Sequence, residues 1–302
     1  MDTSGLGTEA GTLRVAATRA ELDAALGPAR GAGSVIGFLP TLGALHAGHR
    51  SLLARARAEC ALVVASIFVN PLQFGPSEDL ARYPRDLDGD LKVCAAEGVD
   101  VVFVPPSGEV WPEPPIVTVS AGRFGAVLEG ARRPGHLDGV ATVVAKLLNL
   151  VFTGSRPGTA RAYFGRKDAQ QLAMVRRMVA DLGFGVEIVP CDTIREHDGL
   201  ALSSRNAYLG PAERRAAPSL HRALAAALAA FRAGERSPAA LEGVVTERLA
   251  AEPLVDLEYA ALVDPRTFER VPDSASGQVL ALAARIGTTR LIDNVELSGA
   301  DP

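Results

Sequence analysis

The chain has 302 residues, 48% of them hydrophobic, enough for a large core and two domains. Its 31 basic and 35 acidic residues are spread along the whole length and leave a formal charge of -4, which argues against a general electrostatic footprint for nucleic acid. The N-terminal MDTSGLGTEAG has neither the basic start nor the apolar core of a signal peptide, and the apolar stretch VVAKLLNLVF is broken by Lys146 and Asn149, so no membrane association and a cytoplasmic protein are expected.

Residues 1–11 are expected to be disordered. The first strand is expected at Val35 to Leu39, an apolar run bounded by glycine and Pro40, followed by a helix through HAGHRSLLARARAEC and a β-branched strand over 62–69. A helix around 86–97 and a strand at 100–104 come next. Then follow a helix over 139–152, a strand at 161–164, a helix over 168–182 and a strand at 186–189. This alternation predicts an α/β fold, a Rossmann-like parallel sheet with helices on both faces. After residue 193 the texture changes. Alanine-rich helical stretches cover 211–233 and 238–251, and the strand-like runs LEYAALV, QVLALAARI and TTRLIDNV end the chain. The expected organisation is a nucleotide-binding unit over 1–193 and a smaller C-terminal α+β lid domain over 194–302. Cys60, Cys94 and Cys191 are far apart among apolar neighbours and read as buried thiols.

The stretch PTLGALHAGH joins the first strand to the first helix of this alternation, where open α/β sheets place ligands. Gly43 and Gly48 allow close backbone approach, and free N–H groups at a helix start attract phosphate. His46 and His49 stand three residues apart and can address one group, donating to phosphate oxygen or, when protonated, stabilising developing charge. The spacing alone equally allows a metal pair or incidental surface histidines. The loop fits neither the dinucleotide glycine pattern nor a Walker A loop.

Lys167 stands out because the chain has only two other lysines, Lys92 and Lys146. A lysine at a helix start opposes the dipole, which favours a functional point charge over a solvated one. Asp168 can cap the same helix. Gln73 and Gln171 each offer donor and acceptor, which suits a substrate with hydroxyl and carboxylate groups, while taken singly each reads equally as ordinary polar surface. Ser203, Ser204 and Arg205 cluster hydroxyls with a guanidinium, which reads as a phosphate site or as a capped loop with an exposed arginine. Asp88 and Asp90, in DLDGD, read either as oxygen ligands for magnesium or as a solvated helix start.

The H-A-G-H stretch resembles the H-x-G-H signature of the nucleotidylyltransferase superfamily. Four further stretches narrow the match: FVNPLQFGPSEDLARYPRDLDGD at 68–90, RPGHLDGVATVVAKLL at 133–148, YFGRKDAQQLAMVRRMV at 163–179 and REHDGLALSSRNAYL at 195–209. Together they resemble the pantothenate synthetases, or pantoate beta-alanine ligases. The resemblance implies an ATP-dependent, homodimeric ligase that joins pantoate to β-alanine through a pantoyl adenylate, with Mg2+ accompanying ATP. It implies ATP contacts from Leu42, Gly43, Ala44, Leu45, His46, Ala47, Gly48 and His49, with a proton-donor role for His49. Gly165, Arg166, Lys167, Asp168, Ile194, Leu202, Ser203, Ser204 and Arg205 complete the implied nucleotide site. Gln73 and Gln171 are implied for pantoate, and Gln73 also for β-alanine. The chain departs from the family pattern at Leu42, where methionine is usual, at Arg166, where glutamate or glutamine is common, and at Gly89, where an acidic residue is expected. Rival readings are another adenylylating enzyme of the superfamily and a catalytically silent nucleotide sensor.

Overall fold

A computed structural model describes residues 13–76, 78 and 80–298, so the leader expected to be disordered at 1–11 lies outside the described residues. In chain order the first part contains β1 (Arg14–Ala16), α1 (Arg19–Ala32), β2 (Ile36–Thr41), α2 (Ala47–Glu59), β3 (Leu62–Ile67), α3 (Leu87–Ala96) and β4 (Val101–Phe103). Two short helices follow, α4 (Ser107–Val110) and α5 (Leu128–Arg132), then α6 (His136–Phe152), β5 (Ala160–Gly165), α7 (Ala169–Asp181) and β6 (Glu187–Cys191). The last part contains α8 (Pro211–Ala216), α9 (Ser219–Arg232), α10 (Pro238–Ala250), β7 (Val255–Val263), β8 (Val279–Ile286) and β9 (Thr289–Glu296).

The first six strands form one parallel sheet in the order β1-β4-β3-β2-β5-β6. Alternation along each strand splits its side chains between two faces. Ile36, Phe38, Val64, Phe103 and Ala162 pack with Leu22 and Leu26 of α1 and the apolar side of α6. Leu39, Val63, Ala65 and Tyr163 pack with Leu52, Leu53 and Ala56 of α2 and Cys94 of α3. Covered on both sides, the strands read as apolar runs.

β7, β8 and β9 form a separate antiparallel sheet in that order. One face packs Leu262, Leu280 and Leu282 against Leu220 and Leu224 of α9 and Leu241 and Val245 of α10. The other face contributes Ala261, Val263 and Ala281 to the core of the first sheet, which is why β8 is almost wholly buried.

The expected fold class is the observed one. Local elements differ, among them the short helices α4 and α5, which the sequence pattern does not predict. The strand β1 and helix α1 were not expected, because β1 is only three residues long and α1 carries Gly27, Pro28 and Gly31 in its second half. The single helix expected over 211–233 is two, α8 and α9, separated at Ala217 and Pro218, since Pro218 lacks the N–H that would continue the helical hydrogen bonds and its ring crowds the preceding turn. The three cysteines are free and buried. Among the described residues no helix is long and apolar enough to cross a membrane.

Candidate active site

The sheet order reverses between β2 and β5: the chain runs outward through β3 and β4, then returns to the other side of β2. Loops leaving the carboxyl ends of strands at such a switch point diverge and leave a crevice. The loop 42–46 after β2 and the turn Arg166–Asp168 after β5 flank it.

A cleft of about 240 Å³ opens there, lined by Leu42, His46, Gly48, His49, Gly165, Lys167, Asp168, Ile194, Leu202, Ser203, Ser204 and Arg205, with Gln73 and Gln171. A second cavity, about 450 Å³, lies between this crevice and the C-terminal sheet, and Lys167, Asp168, Gln171, Ser203 and Arg205 belong to both. Gly43, Ala44, Leu45 and Ala47, also implied for ATP, are not among the residues that line this cleft. Arg166 does not join the others: its guanidinium turns to Asp192 at 3.3 Å and Glu296 at 3.1 Å. Asp88 is exposed in the first turn of α3, two residues from buried Asp90, a spacing that points the two carboxylates in different directions.

Asp90 has another task. Only 3% exposed, it accepts hydrogen bonds from Ala44 N–H at 2.9 Å and Leu45 N–H at 2.6 Å. The loop it grips is in left-handed conformation at Gly43 (φ +87°) and Ala44 (φ +53°), and a side chain at position 43 would come within 2.9 Å of the Asp90 carboxylate. Among the described residues, no group of three or more His, Cys, Asp or Glu side chains could hold a metal ion.

The histidines cap their own helix. His46 Nδ1 accepts from Gly48 N–H at 3.1 Å, and His49 Nδ1 accepts from His46 N–H at 3.3 Å, a reciprocal pair with ring centroids 4.1 Å apart. With Nδ1 an acceptor in both, the neutral ring carries its proton on Nε2. Burial and the nearby Lys167 charge hold His46 down at about 4; burial, His46 and Lys167 hold His49 at about 3. Both are therefore neutral donors at pH 7.

Lys167 has 19% of its side chain exposed and lies 3.9 Å from the Asp168 carboxylate. Gln73, 8% exposed, accepts from Asn70 Nδ2 at 3.2 Å, and its carbonyl accepts from His136 Nδ1 at 2.8 Å. The adjacent Gly139 allows this: a Cβ there would sit 2.1 Å from the Leu72 carbonyl oxygen. Gln171 faces the cleft, whereas its neighbour Gln170 is 3% exposed and bonded to Glu129, Phe124 and Val127 backbone. Ser203 Oγ accepts from Arg205 N–H at 3.2 Å, Ser204 Oγ lies 3.2 Å from Tyr83 Oη, and Arg205 lies over the Tyr83 ring.

A family model described as pantoate-beta-alanine ligase matches residues 14–296. The chain belongs to the pantoate-beta-alanine ligase family. A pantothenate synthetase of Acidothermus cellulolyticus is 53% identical over 297 residues, covering 96% of this chain and 94% of that protein. Another, from Rubrobacter xylanophilus, is 52% identical over 276 residues, 89% of this chain and 93% of that protein. A crystal structure of pantothenate synthetase from Thermus thermophilus superposes with a TM-score of 0.87 at 48% identity, covering 94% of this chain and 99% of that one. The pantoate-beta-alanine ligase of Francisella tularensis, solved with beta-gamma ATP and beta-alanine, has a TM-score of 0.75 at 29% identity, with 96% and 100% covered.

Three further residues line the cleft that carry no distinctive local pattern of their own: Arg133 and His136, in the RPGH stretch, and Tyr83, in the RYPRD stretch. Arg133 holds Glu78 through two hydrogen bonds, at 2.6 and 2.7 Å, and donates to His136 Nε2 at 2.8 Å. Burial opposes charge on Glu78, yet the Arg133 bonds prevail and hold its carboxyl at about 2. Burial and the Arg133 charge hold His136 at about 4, so it too is neutral. Their signal in sequence was the RPGH stretch itself; their role depends on Gln73 and Glu78, more than fifty residues away.

Proposed function

We propose that the protein condenses pantoate with β-alanine, at the expense of ATP, to give pantothenate, AMP and pyrophosphate. The single observation that carries this reading is the convergence of two neutral imidazoles, one lysine and two carboxamides on the cleft at the β2–β5 switch point. In the first step a pantoate carboxylate oxygen attacks the α-phosphorus of ATP, and the bond to the pyrophosphate oxygen breaks. Both reactants are anionic, so fixed donors and positive charge lower the barrier most. Lys167, Arg205 and the Nε2–H groups of His46 and His49 supply them, with Ser203 and Ser204. Ile194 and Leu202 line the adenine side, and the carboxamides of Gln73 and Gln171 hold pantoate. In the second step the β-alanine amine, near Gln73, attacks the acyl carbon, loses a proton and displaces AMP.

Magnesium enters this reading with ATP as part of the substrate. The Asp88–Asp90 segment does not fit a protein-held ion, since Asp90 is engaged by two loop N–H groups. In the same reading residues 1–193 bind nucleotide and pantoate, and residues 194–302 act as a lid that keeps water from the adenylate. The protein works in the cytoplasm as a homodimer, with the buried, unpaired cysteines supporting a reducing compartment.

The purified protein with ATP, magnesium and pantoate is expected to release pyrophosphate, and AMP and pantothenate should appear when β-alanine is added. Absence of AMP and pantothenate with all substrates present would overturn the reading.

A further inference from the structure

The terminal run TTRLIDNV carries two polar residues, Asp293 and Asn294, that the catalytic reading leaves without a task. Both lie on β9, in the C-terminal sheet, and each reaches a different loop of the cleft in the other sheet. Asn294 Nδ2 donates to the carbonyl of Arg166 at 3.0 Å and to that of Lys167 at 2.8 Å. One carboxamide therefore grips both carbonyls of the turn that carries Lys167. That turn has no side-chain cap of its own.

Asp293, 3% exposed, receives the Arg195 guanidinium through two bonds, at 2.6 and 2.9 Å. Arg195 also donates to the carbonyls of Gly199 at 3.1 Å and Asn294 at 3.3 Å. Because Arg195 and Ala201 form an antiparallel bridge, this grip fixes the hairpin that runs directly into Leu202 to Arg205. Asp293 Oδ1 accepts in addition from Asn294 N–H at 2.8 Å, which ties the two grips together.

Neither side chain lines the cleft that holds the histidines; both line the adjoining cavity of about 450 Å³ against the C-terminal sheet. We propose that Asp293 and Asn294 are positioning residues: they set the separation between Lys167 and the Ser203–Arg205 turn, so that charges carried by two loops act on one triphosphate. The proposal rests on the ligase reading. A lysine ammonium on a flexible stem is only as well placed as the turn beneath it, and stabilisation of a transition state depends on donors held in place beforehand.

Asn294→Asp is nearly isosteric but replaces both donors with an acceptor facing two carbonyls. Pyrophosphate release from ATP and pantoate should fall about 100-fold in kcat, the cost of a misplacement near 1 Å, with a smaller change in KM for ATP. In a Lys167→Ala background, where no ammonium remains to misplace, the same substitution should cost no more than about twofold. Equal losses in both backgrounds, or an Asn294→Asp variant with the parent kcat, would overturn the proposal. If Asn294→Asp does not fold, Asn294→Ser, which keeps one hydroxyl donor, carries the same comparison with a smaller loss. A parent that releases no pyrophosphate would overturn the ligase reading, whereas an active parent with equal losses overturns only the positioning role.

Discussion

The two loops that meet at the switch point are held in opposite ways. The loop after β2 is fixed from within its own sheet layer, by Asp90 of α3 on Ala44 and Leu45 and by the mutual capping of His46 and His49. The turn after β5 is fixed from outside, by Asn294 of β9 on its carbonyls and by Glu296 on Arg166. A shift of the C-terminal sheet would therefore move Lys167 while leaving the histidines in place. One half of the site is built by the first sheet alone; the other depends on how the two sheets dock.

The sharpest way to test that contrast is to remove the charge that depends on docking. Lys167→Ala should slow pyrophosphate release by about 10²–10³-fold, the usual loss on removing one positioned electrostatic group, with little change in melting temperature. A variant that turned over near the parent rate would show that the charge carried by the β5 turn does not matter.

The locally held loop should respond differently, because Asp90→Ala leaves two backbone N–H groups without their acceptor. Urea unfolding should show a loss of about 1–3 kcal/mol, and pyrophosphate release should fall with it. Excess magnesium should not restore the activity. Restoration by magnesium would instead make Asp90 a metal ligand and remove half of the contrast.

Acid should act on stability rather than on one loop. His46, His49 and His136 are held at about 4, 3 and 4 in the folded protein, below the ordinary 6.5 of the unfolded chain, chiefly by burial. Between these values the unfolded state binds more protons, so the stability from neutral burial is complete above pH 6.5 and declines as pH falls toward 3 to 4. The melting temperature should drop over that window, and the drop should shrink in a His49→Gln variant. An unchanged drop would mean that His49 is not buried neutral.

Much of the parallel sheet was legible because burial on both faces forces apolar runs such as Ile36–Thr41 and Leu62–Ile67. β1 was not, since three residues of which Val15 is half exposed carry too little pattern. In the site, His46, His49, Lys167 and the Ser203–Arg205 cluster stood out through spacing, rarity or motif. Asp90 shows only its charge in DLDGD, which allows a metal reading, because nothing there reveals a contact with a loop 45 residues earlier. Gln170 and Gln171 are adjacent and chemically identical, and only packing decides that the first bonds backbone while the second faces the cleft.

The sequence by itself determined the alternation of elements, the loop that follows β2 and the family to which these motifs point, because each is written in neighbouring residues. Tertiary structure alone decided that Asp90 grips that loop, that Arg133 and His136 stand beside Gln73, and that Asn294 steadies the Lys167 turn. These are contacts between segments 45 to 128 residues apart. A hydrogen bond across such a distance leaves no periodicity in either segment; it exists only once the two sheets have packed.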